Sequence, residues 1–281
     1  MTLILVCIGA FFAPRFGQSE NVALLIGQET QQLSPELDFQ LERAAIPCEI
    51  TSQRPLTENE IAETYFTTGN RDACEAADGS SAFRYPQKSV VVSLLTSIVL
   101  HGSLAHLALN VLFLWVFGNN VEDRLGHLAF LAFFVLAGIV SAVGLIVTQP
   151  DGTLAIIGAS GAIAGIMGAY LIWYPDAPIR TLLFLILVDI RARWYLIGWF
   201  AFQFFTATGG GVAWVTHVVG FAFGVIAGRI VRKMQPRFRA LAGQRTPAWD
   251  ETGGAGHGPY PHLDEVWVEP HPEAYDQAQP S

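Results

Sequence analysis

One serine, three histidines and an asparagine stand out because they lie in stretches otherwise almost free of polar side chains. Ser160 sits in Gly158-Ala159-Ser160-Gly161, and His106 and Asn110 lie four residues apart in an apolar segment. His101 shortly precedes them, and His217 opens the series Gly220, Gly224, Gly228. A serine hydroxyl is a weak nucleophile until a base removes its proton. A neutral imidazole, which titrates near neutrality, is suited to that task. Attack on a carbonyl then needs donors for the oxyanion, each typically worth about 10²–10³ in rate. The backbone N–H of Ser160, His106 and the Asn110 amide are candidates. No acid stands in either apolar segment to complete a Ser-His-Asp triad, so the pattern predicts a dyad of Ser160 and His217.

Each residue also has a plainer reading. A serine among small residues in an apolar helix is usually there for packing, as is a lone polar pair or a core histidine. Spacing argues for more. On one helix His106 and Asn110 differ by about 40° in direction and about 6 Å in height, so they share a face. Gly220, Gly224 and Gly228, at i+3, i+7 and i+11 from His217, share the face that carries it. The small-residue run Gly158, Gly161, Ala162, Ala164, Gly165, Gly168 around Ser160 is its predicted partner, since small residues let helix backbones approach closely. With helices over 154–173, 212–231 and from Ser103, the polar groups lie at similar depth. Ser160 is about 9 Å, His217 about 7.5 Å and His106 about 4.5 Å below one end. The motif is not the G-x-S-x-G elbow of soluble hydrolases, because position 162 is alanine.

The elements that must position these residues are membrane helices. Of the 281 residues 52% are hydrophobic and only 14% charged, against about 25% charged in soluble domains. The net charge of −8 and the lack of any basic stripe exclude a nucleic-acid partner. Residues 2–13 are apolar but shorter than the about 20 residues a spanning helix needs, and are read as a short or truncated first helix within 1–17. Residues 18–89 are polar and acidic, with 12 Asp and Glu against 5 Lys and Arg, and are expected to hold a few short helices with little core. The run 90–118 would be about 43 Å long as one helix, so a break is expected at His101-Gly102-Ser103, with Ser103 as N-cap. Further helices are predicted over 127–148, 154–173, 192–207 and 212–231. The short apolar stretch 179–188 is placed at the interface, and Gly209-Gly210-Gly211 as a tight, mobile connection.

This gives six helices, a core over 90–233 and a disordered tail over 234–281. Basic residues mark the cytoplasmic side. Arg124, then Arg180, Arg191 and Arg193, then Arg229, Arg232, Lys233, Arg237 and Arg239 all fall on one side. The tail is then cytoplasmic and the acidic 18–89 segment outside. Cys48 and Cys74 share that segment; they pair in an oxidising compartment or remain two unrelated thiols. No C-x-x-C pair is present.

Four pieces of sequence, in order, resemble the rhomboid family of intramembrane serine proteases. They are His101-Gly102-Ser103-Leu104-Ala105-His106-Leu107-Ala108-Leu109-Asn110, Phe117-Gly118-Asn119-Asn120-Val121-Glu122-Asp123-Arg124-Leu125-Gly126, Gly158-Ala159-Ser160-Gly161, and His217-Val218-Val219-Gly220-Phe221-Ala222-Phe223-Gly224. The resemblance implies an all-α membrane protein, a six-helix bundle in the cell membrane with its active site open to the extracytoplasmic side. Ser160 would be the nucleophile, His217 the base, and His106, Asn110 and Ser160 the oxyanion hole. His101, Gly158, Gly161, Gly220 and Gly224 would be structural or pocket residues. Substrates would be single-pass transmembrane proteins in the lipid bilayer, cut without metal or cofactor. The chain departs from many relatives in having no Trp before Trp115 and a long first outer loop. Two other readings compete. One is a metal hydrolase built on His101, His106 and His217, disfavoured because His101 is predicted to point about 140° away from His106. The other is a catalytically inactive rhomboid-like protein that binds membrane proteins or serves their quality control; such relatives typically lack the Ser or the His.

Overall fold

A computed structural model describes residues 2–16, 22–26, 29–74, 81–183, 186–207 and 213–241. Both Gly209-Gly210-Gly211 and the tail beyond Leu241 lie outside the described residues. The protein is mostly helical. Among the described residues three helices are long and apolar enough to cross a membrane: Leu104–Leu125, His127–Thr148 and Trp214–Met234. They leave large apolar side chains such as Leu128, Val147 and Ile226 exposed, as a surface solvated by lipid tails permits.

The chain begins with α1 (Thr2–Phe16), whose Cys7 and Phe11 are buried in the main core. A hairpin of β1 (Val22–Ile26) and β2 (Glu29–Leu33) follows, then three short helices. In α2 (Pro35–Arg43), Ser34 caps the Leu37 amide, Pro35 starts the helix, and Glu36 and Asp38 occupy the first turn, an arrangement suited to the positive end of the helix dipole. Next comes α3 (Pro47–Ser52). In α4 (Glu58–Ala62), Thr57 and Glu60 form a reciprocal capping box, and one π-helical turn continues it through Thr67.

This region, 29–74 with 81–89, forms a cap with more structure than its polar composition predicts. Leu33, Leu41, Ile46, Cys48, Leu56 and Ile61 make a small buried core. Cys48 and Cys74 are joined in a disulfide with Cα atoms 5.6 Å apart. Buried Glu60 takes a two-pronged contact from Arg54 at 2.7 and 2.8 Å. Glu49 pairs with Lys88 at 2.5 Å, each side chain only 1% exposed. Burial, the largest influence on each, pushes the Glu49 carboxyl up and the Lys88 ammonium down, and their mutual attraction opposes both shifts.

The run after the cap breaks where expected. A short α5 (Ser93–Thr96) and a 3₁₀ turn end at Val99. Ser103 then caps α6 (Leu104–Phe113) by accepting from the His106 N–H at 3.1 Å. A π-helical turn over Leu114–Gly118 leads into α7 (Asn119–Leu125). Gly126, at φ 80°, turns the chain into α8 (His127–Thr148).

Here the structure corrects an expectation. Residues 154–159 are not helical, and α9 runs only over Ser160–Trp173, so Ser160 begins its helix instead of lying about 9 Å inside it. The apolar run Leu154-Ala155-Ile156-Ile157 is instead held in loop form by the cap: the Ile156 N–H donates to Ala45 O at 2.8 Å. In the stretch too short to span, β3 (Pro178–Leu183) and β4 (Ile186–Arg191) pair antiparallel, a strand pairing that the apolar composition did not announce. With two hairpins the fold is not purely α. Arg180 faces Asp189 across the strands and donates to it at 3.0 Å. Then follow α10 (Ala192–Ala207) and α11 (Ala213–Leu241), the latter extending past the predicted end at 231 and into the stretch expected to be disordered.

Small residues set the packing. A Cβ on Gly220 would overlap the Gly161 carbonyl, one on Gly224 the Gly165 carbonyl, and one on Gly168 the Phe221 carbonyl. Thus α9 and α11 meet backbone to backbone, along the two small-residue faces that carry Ser160 and His217.

Candidate active site

Four of the predicted residues line one cavity of about 470 Å³: His106 and Asn110 from α6, Ser160 from α9 and His217 from α11. Otherwise the walls are largely apolar, with Ile156 and Ile157 from the loop before α9, Met167 from α9 and Trp199 from α10 among them.

Each side chain is positioned by a local device. Ser160 is the first residue of α9, and the preceding Ala159 provides no side-chain cap. Helix N-termini leave their first N–H groups without intrahelical partners, so a backbone donor is available beside the hydroxyl. Gly158 adopts φ 115°, and a Cβ there would lie 2.7 Å from His106 Cε1 and 2.8 Å from Nε2. Only glycine satisfies both the dihedral and the approach. The result packs the His106 imidazole against the backbone two residues before Ser160. The Gly158 N–H donates to Ser97 O at 3.0 Å, and the Ser97 hydroxyl accepts from Ala45 N at 2.6 Å. The bend before Ser160 is therefore tied to the cap through the 3₁₀ turn that follows α5. The cap holds the same loop at Gly152, whose carbonyl accepts from Cys48 N at 2.9 Å, and at Thr153, whose N–H donates to Arg71 O at 2.8 Å.

Asn110 Nδ2 donates to His106 O at 3.1 Å one turn back. Gly161 touches Ser141 of α8 so closely that a Cβ would overlap its hydroxyl. No direct hydrogen bond joins Ser160 and His217 among the described residues; such pairs commonly tighten only around bound substrate.

His101 does not line this cavity, but neither does it point away from His106. The two rings meet edge to face with centroids 5.3 Å apart, and His101 Nδ1 lies 3.0 Å from Val99 O. The expected 140° separation fails because His101 precedes the Ser103 cap, so helical geometry does not relate it to His106.

One residue in contact with the site escaped the sequence reading. Gln203 of α10 is buried, and its Oε1 lies 2.8 Å from His217 Nδ1. Its Nε2 donates to Trp199 O at 3.2 Å, and the Trp199 ring packs at 5.8 Å from the His217 ring. The signal was present: a glutamine within the apolar segment 192–207.

The geometry gathers a hydroxyl at a helix start, two imidazoles and a carboxamide around an apolar cavity between membrane helices. The rhomboid domain profile matches residues 88–234, and the chain belongs to the rhomboid family. A stretch of 78 residues, 28% of this chain and 15% of the relative, is 46% identical to "Rhomboid protease GluP" of Bacillus subtilis. "Rhomboid protein 1, mitochondrial" of Saccharomyces cerevisiae is 28% identical over 167 residues, 56% of this chain and 47% of the relative. "RHOMBOID-like protein 5" of Arabidopsis thaliana is 33% identical over 78 residues, 28% of this chain and 25% of the relative. The chain thus spans less than half the length of each. Family and apolar helices together make this a membrane protein.

Proposed function

We propose that the protein is an intramembrane serine endopeptidase that hydrolyses peptide bonds in or near transmembrane segments. Ser160 Oγ attacks the scissile carbonyl carbon while its proton passes to His217. The oxyanion receives hydrogen bonds from the Ser160 N–H, His106 and the Asn110 amide. Collapse expels the amine, which takes the proton from His217, and a water activated by the same imidazole releases the acyl group. The bundle has six membrane-crossing helices, counting α1, α9 and α10 with the three long ones, and the site opens to the extracytoplasmic side of the cell membrane. The cap is then outside, where its disulfide is at home, and the basic end of α11 and the tail are cytoplasmic. Substrates are single-pass transmembrane proteins whose helix unwinds to reach the cavity.

The observation that carries this reading is the junction at Gly158. A left-handed glycine presses the His106 ring against the chain at the N-terminus of the helix that starts with Ser160, in the cavity that also holds His217. A packing serine has no need of a glycine bend and two imidazoles around it. A fluorophosphonate probe tests the pairing. It is expected to label Ser160 in detergent-solubilised protein and to lose this labelling in His217→Ala. Labelling at another residue would move the nucleophile, undiminished labelling in the variant would remove His217 as the base, and no labelling of the wild type would favour the inactive, binding-only reading.

A further inference from the structure

We propose that Gln203 is a positioning residue for the base: its carboxamide fixes the tautomer and ring angle of His217, where other hydrolases use a carboxylate. This rests on the dyad reading above and deepens it. Two hydrogen bonds settle the assignment. Gln203 Nε2 donates to the Trp199 carbonyl one turn back on α10 at 3.2 Å, which directs Oε1 toward α11. That oxygen stands 2.8 Å from His217 Nδ1. An amide oxygen is only an acceptor, so Nδ1 must carry the proton. The lone pair is then on Nε2, the nitrogen left to take the Ser160 proton. The opposite amide orientation would set Oε1 against the Trp199 carbonyl oxygen and an N–H₂ against Nδ1, leaving the base with the wrong tautomer.

The surroundings fit a device of this kind. Gln203 is 6% exposed, and an amide buried in a membrane bundle is costly unless its groups are satisfied. Trp199 restricts the imidazole from a second direction, its ring at 5.8 Å from His217 and at 6.0 Å from Phe221. Trp199 and Gln203 lie one turn apart on α10, so this one helix face holds the base by an aromatic wall and an acceptor. A neutral amide supplies this acceptor without placing a formal charge in the apolar interior.

The test compares two near-isosteric variants in proteoliposomes, using a fluorogenic single-pass transmembrane peptide and Ser160→Ala as the blank. Gln203→Met removes the acceptor and keeps the volume; Gln203→Glu restores an acceptor oxygen. The expectation is that Gln203→Met lowers kcat by about 10- to 100-fold, a part of the 10²–10⁴ that general-base catalysis is worth in full. KM and the melting temperature should stay unchanged, and Gln203→Glu should recover most of kcat. The rate of fluorophosphonate labelling at Ser160 should follow the same order. Wild-type kcat in Gln203→Met overturns the inference. So does Gln203→Glu as impaired as Gln203→Met, because an acceptor oxygen at this position would then do nothing for the base; this comparison also decides the matter if the Met variant melts early. Cleavage by Ser160→Ala equal to wild type, or neither cleavage nor labelling in the wild type, would instead sink the dyad reading and this inference with it.

Discussion

The cap and the helical bundle are held together by opposite means. In the bundle, α9 and α11 touch through backbone atoms at Gly161, Gly165, Gly220 and Gly224, and polar side chains are few. In the cap, six apolar residues form the core, and the remainder is a disulfide, two buried ion pairs and a capping box. The solvent explains the contrast. Lipid tails are as apolar as leucine, so helices in a bilayer gain little from apolar burial and rely on close approach. A small unit in water has too little core and needs covalent and ionic staples. The two meet at the loop 149–159. It is anchored in the cap at Gly152, Thr153 and Ile156 and ends in the bundle at Gly158, the bend that places Ser160.

Substitutions can break this comparison from either side. The largest effect is expected from Gly224→Leu, because the side chain must displace the Gly165 backbone. Overpacking of this kind costs about 3 kcal/mol or more, and little folded protein should be recovered from membranes. Gly198→Ala on α10, where a Cβ meets nothing within 4 Å, should be harmless by the same assay. Similar recovery of the two would refute backbone contact between α9 and α11. Next comes Lys88→Ala in the cap. It leaves the Glu49 carboxylate buried without its partner, which costs about 3–5 kcal/mol. Hydrogen exchange should quicken through 35–67, while the double change Lys88→Met with Glu49→Leu should come close to neutral. If the single variant exchanges like wild type, the ion pair is not a staple. A smaller change in stability but a large one in turnover is expected from Gly158→Ala. The methyl must enter a left-handed dihedral and collide with His106, so cleavage should fall about 10²-fold, the worth of one oxyanion donor. The strain should lower stability by about 1–3 kcal/mol, less than either preceding change; full activity would show that the Gly158 bend does not position the site.

The long apolar runs were legible because they end in charged or turn-forming residues. The predicted bounds of α8 and α10 are those observed, and the break at Ser103 follows from a serine after glycine in a run too long to span straight. The paired faces of Ser160 and His217 were legible because glycine spacing records helix contact directly. Hydropathy failed at 154–159, since it cannot distinguish an apolar loop from an apolar helix, and the hydrogen bonds that decide the matter come from Ala45, more than a hundred residues away. His101 was misplaced because a helical wheel was extended through the break that the same reading predicted. Gln203 is as polar as Asn110, but its role was not legible because its partner His217 lies on another helix, with no shared spacing to mark the pair. The cap was legible only in part: its few short helices were expected, but twelve acids against five bases do not reveal that Arg54, Lys88 and Arg84 face Glu60, Glu49 and Asp38.

The proposed activity is cleavage of peptide bonds by Ser160 within the membrane. Cleavage of a model single-pass transmembrane protein by purified wild type in proteoliposomes, beside Ser160→Ala, tests it most directly. Wild type should give a product cut in or next to the transmembrane segment, and the variant none at equal protein. Equal cleavage by both, or none by either across several substrates, would contradict it.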